Sequence, residues 1–571
     1  MEETESSACY ANGMMLFYKP SVMNFFVLSV SGRMSGEATL TVPFRIASIF
    51  LLVLLLTEFP ATAQRTVASH ADRYLTASYI KEQIEFLSSD SLAGRATPGK
   101  GLDTAAAYIA RQFASFGLRP LNGSYFQPLD YCYVDLGKNL FISLLAQPET
   151  INFRLKEDFV PYEISGNKPV EGEVVFAGYG ITAPEFGYDD YQNIDVNGKI
   201  VVVLRQEPGQ TDSVQKAFGG SQVLTRYSGL REKQRNAGKH GAIGMLVVSG
   251  PVNFSSLKPS GYPWPSLSGG DPMKEGPLVY CSNQSLRIPV VHAGESIIRV
   301  LFGSIDSLKR LQLRIEAQMK SQSYLMRGKI LAMNMDLQFT PLKAFNVAGF
   351  LEGSDERHRN ETVIVGAHYD HAGTIASSET PDPDTIFNGA DDNASGSAGM
   401  LAIARTMASM DSRPKRSVLF IAFAGEELGL LGSRSYVRNP LVPLQKTMAM
   451  INLDMIGRNH PDSLQVIGAR QNPGLVRIIR KENKYTNMLL YETKNLNMPG
   501  GSDHYPFYQN QISSVFFFTG LHEDYHRVSD QADRIDFQKA SRVAKLAFLT
   551  AWKIANSRGK LKMSGVDPDK D

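Results

Sequence analysis

Cysteine is scarce, three in 571 residues, which excludes a disulfide-built scaffold and a cysteine-ligated zinc array. Neither sign of charge is in surplus: 59 Lys and Arg face 57 Asp and Glu, for a net +2. A nucleic-acid binder needs basic residues gathered on one face for its phosphate contacts, and this balance gives no case for one. The apolar run Ile46–Leu56 (IASIFLLVLLL) is short of the roughly 20 residues that cross a membrane. What the chain does have is 43% hydrophobic and 20% charged residues, an ordinary globular balance. At roughly 150 residues per domain, its length holds three or four domains' worth of material.

The N-terminus reads as an address. Ile46–Leu56 fits the apolar region of a secretory signal peptide, and Ala61-Thr62-Ala63 offers small residues for cleavage before Gln64. Met34 would serve as a shorter start, with Arg45 as the leader's positive charge. The expectation is an exported protein, periplasmic or extracellular, with no stable membrane anchor once cleaved near Ala63. Cleavage removes Cys9 and leaves Cys132 and Cys281, which either pair in an oxidising compartment or stay buried and free.

Tyr79–Leu87 has helical apolar spacing, and Asp103–Phe116 reads as a helix closed by Gly117. Residues 130–170 show no clear period. Glu173–Ala177, Ile200–Leu204, Ala242–Val248 and Ile288–Val291 read as strands, with helices expected near 222–239 and at Glu295–Phe302. This middle stretch is expected to be a small, mostly β module. From Phe345 the rhythm changes. Strands at 363–368, 417–425, 448–454 and 514–518 alternate with helical runs near 394–409, 428–438, 474–484 and 536–556. That alternation predicts an α/β fold with a mostly parallel mixed sheet covered by helices on both faces.

The polar residues sit where these strands end, the edge at which open α/β sheets bind ligands. They are His368-Tyr369-Asp370-His371, the loop Gly389–Gly396 (GADDNASG), Glu426-Glu427, Asp454, and His522–His526 (HEDYH). Taken singly, each is ordinary turn or capping chemistry. Together they deliver His and carboxylate to one edge, where a divalent cation would offset the repulsion. Mixed His and carboxylate ligands without cysteine suit catalytic zinc. His522-Glu523-x-x-His526 also matches the HExxH signature, which needs a helix with an apolar face; the flanks FFFTGL and RVSDQADRID argue against one.

The segments AHYDH, NGADDNASG, FAGEELGLLGS, INLDMIGR, GGSDHYPF and YH occur in this order over residues 345–535. The set resembles the zinc-dependent exopeptidase family with a two-metal site, which includes secreted bacterial leucyl aminopeptidases, aminopeptidase Y and glutamate carboxypeptidases. VVFAGYGI, IVVVL and GAIGMLVV resemble the protease-associated domain inserted into such enzymes. The resemblance implies an extension and signal at 1–63 and peptidase segments at 68–140 and 325–557. It also implies an insert at 141–324 and leaves a polar tail at 558–571. It implies two zinc ions per chain, other divalent metals being accepted, bound by His368, Asp392, Glu427, Asp454 and His526. Spacing alone leaves Asp391 and Asp392 both open as the bridging ligand.

Glu426 would be the general base acting on a metal-bridging water, Tyr525 the oxyanion donor, and Asp370 the partner of the His368 ring. Asp503 and His504 would touch substrate or a neighbouring group, or Ser502 and Asp503 would only cap a helix His504–Tyr508. His371 is expected at the rim. Peptides are the implied substrates, with trimming from the N-terminus favoured. A carboxypeptidase, a glutaminyl cyclase, a single-zinc HExxH enzyme and an inactive binding protein remain the rivals.

Overall fold

The structure is a computed structural model that describes residues 66–146, 148–209, 224–259, 278–282, 287–375, 383–492, 501–557, 559–561 and 563. Met34, the run Ile46–Leu56, the Ala61–Ala63 motif and most of the tail at 558–571 lie outside them.

Four strands set the frame. Ser417–Phe423, Thr362–His368, Thr447–Leu453 and Ser514–Phe518 lie side by side in that order, and each neighbouring pair is parallel. Phe345–Leu351 and Phe126–Pro128 extend one side of the sheet antiparallel. Ser463–Ile467 joins the other side antiparallel, with Leu489–Glu492 parallel beyond it. Every residue of the Thr362–His368 strand is buried. Its side chains alternate, so Val363, Val365 and Ala367 enter one apolar cluster while Ile364 enters another. Helices Lys100–Ser115, Gly396–Ala408 and Phe537–Asn556 fill the first face. Tyr436 of helix Leu431–Arg438 and Phe507 of helix His504–Gln509 cover the second. The mixed, helix-covered sheet is as the sequence pattern predicts. Because the four central strands are parallel, their carboxyl ends share one edge.

A second eight-stranded sheet is built between Phe141 and Asn334. Its central strands Ile200–Leu204 and Gly244–Val248 are wholly buried and parallel. Residues 130–170 form strands of three to six residues, too short for a period to register. The strand Tyr324–Asn334 pairs inside this sheet, which therefore runs past residue 324, the expected end of the module. The module also holds a helix that the sequence pattern missed, Ile305–Gln318, capped by Ser304 accepting from the Ser307 amide. Its apolar stripe is thin: Leu308 and Ile315 are buried but Leu313 is 46% exposed.

A three-stranded sheet of Leu278–Tyr280, Tyr131–Leu136 and Leu337–Pro341 adjoins the module. Cys132 and Cys281 are joined there by a disulfide across a sequence separation of 149 residues. Closing so long a loop restricts the unfolded chain, so the bond contributes roughly 3–5 kcal/mol. Cys132→Ser should therefore lower the unfolding free energy by about that amount, read as a fall in the midpoint of denaturant unfolding. A midpoint unchanged by the substitution would show that the bond contributes nothing.

Candidate metal centre

His368 is the last residue of its strand, and its side chain is 1% exposed. Its carbonyl accepts from Ser397 Oγ at 2.7 Å, which fixes the turn. Nδ1 lies 3.2 Å from the backbone carbonyl of Asp370 and 3.7 Å from that residue's carboxylate. The Asp370 carboxylate was expected to hold this ring, but its backbone oxygen stands closer. Nε2 faces Asp392 Oδ1 and Asp454 Oδ1, each at 3.3 Å. Asp454 follows the Thr447–Leu453 strand and accepts from Ser502 Oγ at 2.6 Å, which in turn accepts from Asn452.

The loop before helix Gly396–Ala408 is set by polar contacts along its length. Asp530 accepts from the amides of Asp391 and Asp392. Asn393 donates to the Leu453 carbonyl and accepts from the Met455 amide. The two adjacent aspartates then point apart. Asp391 accepts from the Gly457 amide at 2.7 Å and lies 3.4 Å from His522. Asp392 faces His368 on one side and His526 on the other, at 3.3 and 3.1 Å.

His526 Nε2 also lies 3.1 Å from Glu427 Oε2. The remaining oxygen of Glu427 is 2.6 Å from His371 Nδ1. His371 is not at the rim: its side chain is fully buried, and it stands 3.8 Å from Asp392. Two groups result, His368–Asp392–Asp454 and His371–Asp392–Glu427–His526, the ligand atoms within each lying inside 4.8 Å of one another. Asp392 is common to both. Three imidazoles and three carboxylates gathered this closely out of water fit a divalent cation shared through a carboxylate, and the donor set suits zinc. Glu426 falls in neither group.

Charge balance shapes the surroundings. Arg95, fully buried, donates to the carbonyls of Leu87, Tyr369, Asn388 and Gly389. It ties the His368 turn to the Asp392 loop. Burial lowers it to about 10, still charged at neutral pH, opposed by Asp370, Asp392, Asp530 and Glu427. Nothing in the sequence marked Arg95, which sits in a Gly- and Pro-rich break. Burial disfavours the Asp392 and Glu427 anions. Hydrogen bonds from His368 and His526 nevertheless hold Asp392 low, and those from His371 and His526 hold Glu427 at about 2. Hydrogen bonds to Asp392 and Glu427 raise His526 to about 10. Burial pushes Glu426 well above the usual carboxylate range; Asp454, Asp503 and Glu427 add to this while His368 opposes it.

The remaining predicted residues lie around this core. The Asp370 carboxylate accepts from the Glu426 amide at 3.2 Å and from Thr97. The Tyr525 ring stacks on His526 with centroids 3.9 Å apart. Burial raises its hydroxyl pKa, and the carboxylates of Asp392, Glu427, Asp454 and Glu426 raise it further. Asp503 and His504 are buried, and burial moves Asp503 up to about 7 and His504 down to about 3. The side chain of Asp503 makes no capping bond to the helix that follows, and Ser502 is engaged with Asp454. Residues 522–526 form a turn, not a helix, so the HExxH geometry is not built. Arg458 pairs with Asp524 at 2.7 Å, beside Tyr525 and His526.

A mixed sheet whose parallel strand ends carry two ligand groups joined by one aspartate defines a metal-dependent hydrolase. Residues 346–551 match peptidase family M28 and residues 170–296 match the PA domain. Residues 346–551 are thus a peptidase domain of the M28 type and residues 170–296 a PA domain, and the chain is a metallo-exopeptidase. It is 25% identical over 416 residues to aminopeptidase YwaD of Bacillus subtilis, covering 71% of this chain and 72% of that one. It is 28% identical over 270 residues to a probable zinc metalloprotease of Pyrenophora tritici-repentis, covering 40% of this chain and 60% of that one. Among solved structures, an aminopeptidase from Aneurinibacillus sp. strain AM-1 aligns with a TM-score of 0.43 at 20% identity, over 88% of this chain and 98% of that one.

The sign of the pH dependence follows from His526. Raised to about 10 in the metal-free chain, it is protonated at pH 7, and only the neutral ring ligates a metal. Zinc titrated into metal-free protein at pH 7 should release at least one proton, and affinity should climb with pH towards 10. Calorimetry in two buffers of different ionisation enthalpy reads the proton count; a count of zero would contradict the assignment.

Proposed function

We propose that the chain is an exported aminopeptidase with two zinc ions, one in each ligand group, that removes residues from the N-termini of peptides. The observation that carries this reading is the division between adjacent glutamates: Glu427 belongs to a ligand group, whereas Glu426 belongs to neither. Zinc bound in the two groups would polarise the scissile carbonyl and bring a water's pKa towards neutrality. Glu426 takes the proton of the attacking water and passes it to the leaving amine. Asp370 positions Glu426 through the backbone amide. Tyr525 donates its hydroxyl to the developing oxyanion, held in place by stacking on His526 and by the Arg458–Asp524 pair.

Likeness to the Bacillus subtilis aminopeptidase over 71% of the chain supports cleavage from the N-terminus. Arg458, the cation closest in sequence after Asp454, gives one of its guanidinium nitrogens to Asp524. Export rests on the signal-like N-terminal run, and the Cys132–Cys281 bond fits an oxidising compartment. No helix among the described residues is long and apolar enough to cross a membrane. The PA domain would shape the entrance to the site.

Glu426→Gln should keep its zinc and lose about 10²–10⁴-fold in kcat. The substrate pool should contain free and N-acetylated peptides read by mass over time. Stepwise loss from free N-termini, blocked by acetylation and by a chelator, is the expected result. Loss from C-termini, or loss of ammonia from N-terminal Gln without cleavage, would overturn the reading in favour of a carboxypeptidase or a cyclase. Full activity in Glu426→Gln would remove the base assignment.

A further inference from the structure

A cavity of about 1120 Å³ lies between the PA domain and the peptidase domain, and its lining includes no residue of the two ligand groups. Its walls gather arginines from three separate segments. Arg231 comes from helix Leu230–Lys239, Arg287 from the run before strand Val290–Ala293, and Arg434 and Arg438 from helix Leu431–Arg438. The Tyr280 ring sits among them, with the guanidinium of Arg438 at 4.1 Å and that of Arg231 at 5.8 Å from its centroid. Lys168 adds a further cation at the edge.

Two acids, Asp130 and Glu163, stand near the four arginines and so balance part of this charge. Asp130 lies 3.8 Å from Arg438, and its two oxygens accept from the amide and hydroxyl of Ser282. Glu163 is pushed up by burial, against Arg231 and Arg287. Burial lowers Arg287, the charges of Arg231 and Arg438 lower it further, and Asp130 and Glu163 oppose this. Like charges held around one cavity are offset when an anion enters, and guanidinium forks match carboxylates in pairs. The cavity is far larger than one small ion requires and reaches the size of a peptide-binding cleft. Its wall also includes Gly429 and Leu431, whose amides donate to the carbonyls of Glu426 and Gly425. The cavity thus shares one turn of chain with Glu426 and Glu427.

We propose that this cavity binds an acidic peptide segment, a run of Glu or Asp side chains gripped by Arg231, Arg287, Arg434 and Arg438 between the two domains. The choice of a peptide rests on the peptidase reading. The test measures binding rather than cleavage, so its failure would leave that reading intact.

The probe is an N-acetylated hexaglutamate carrying a fluorophore at its C-terminus, compared with the matching hexaglutamine, both titrated with the zinc-loaded full chain by anisotropy. Mass spectrometry of the recovered probe confirms that it is uncut. Hexaglutamate should bind at least tenfold more tightly, with affinity falling as salt rises. Arg231→Gln/Arg434→Gln should reduce it to the hexaglutamine level. Both side chains are exposed, so the melting temperature of this variant should match that of the parent. Arg434→Glu alone should give a partial loss. Lys81→Gln, which removes an exposed cation on helix Ala77–Leu87, should leave the preference intact.

Equal binding of the two probes would overturn the proposal, as would a preference that survives in the double variant or falls equally in Lys81→Gln. Inorganic phosphate is the competing oxyanion. Displacement of the probe by phosphate no better than by chloride at the same ionic strength supports a peptide site. Displacement at micromolar phosphate would assign the cavity to a free phosphate compound and overturn the peptide.

Discussion

The arrangement depends on concentrating negative charge at one edge of a sheet. Asp392, Asp454 and Glu427 are brought out of water by strands whose apolar residues bury both faces of the sheet. Unpaired, such carboxylates would oppose folding by several kcal/mol each. Histidines at 368, 371 and 526 answer part of that charge, and Arg95 answers more from behind the loops. A bound cation completes the balance. The surrounding polar residues serve to hold this geometry: Asp530 under the Asp392 amide, Ser502 against Asp454, and Asn393 between its loop and the neighbouring strand end.

Twice, two adjacent acids receive different tasks from the backbone. Asp391 turns to the Gly457 amide while Asp392 faces both ligand groups. Glu427 enters a ligand group while Glu426 stays outside it, its amide held by Asp370. A carboxylate committed to a metal is a poor base, so separate residues serve the two roles better than one. The PA domain adds a different kind of charge, a set of arginines facing the helix that follows the Glu426 turn. Opposite charge is therefore stored on the two sides of one short stretch of chain.

The central strands were legible because each is a continuous apolar run with His, Asp or Glu at its end or a few residues beyond. That pattern also exposed most of the ligand groups. Arg95 and Asp530 were not legible, since each acts through contacts distant in sequence and has no local periodicity to announce it, and Ser502, read as a helix cap, instead donates to Asp454. His371 was expected at the rim, yet its place is set by Glu427, 56 residues away. The helix Ile305–Gln318 escaped because its buried stripe is thin, and the strands of residues 130–170 because they are short. HExxH matches a helical signature in its letters alone: its flanks argue against a helix, and the chain there turns. The pairing of Cys132 with Cys281 depends on bringing together positions 149 residues apart, which no local pattern encodes.

The most direct test of the central claim is anomalous scattering from crystals of the zinc-loaded protein, recorded on both sides of the zinc edge. The account predicts two peaks per chain, about 3.5–4 Å apart. One should be bounded by His368, Asp392 and Asp454, and the other by Asp392, Glu427 and His526. A single peak, or a peak centred on His522 and Asp391, would contradict it.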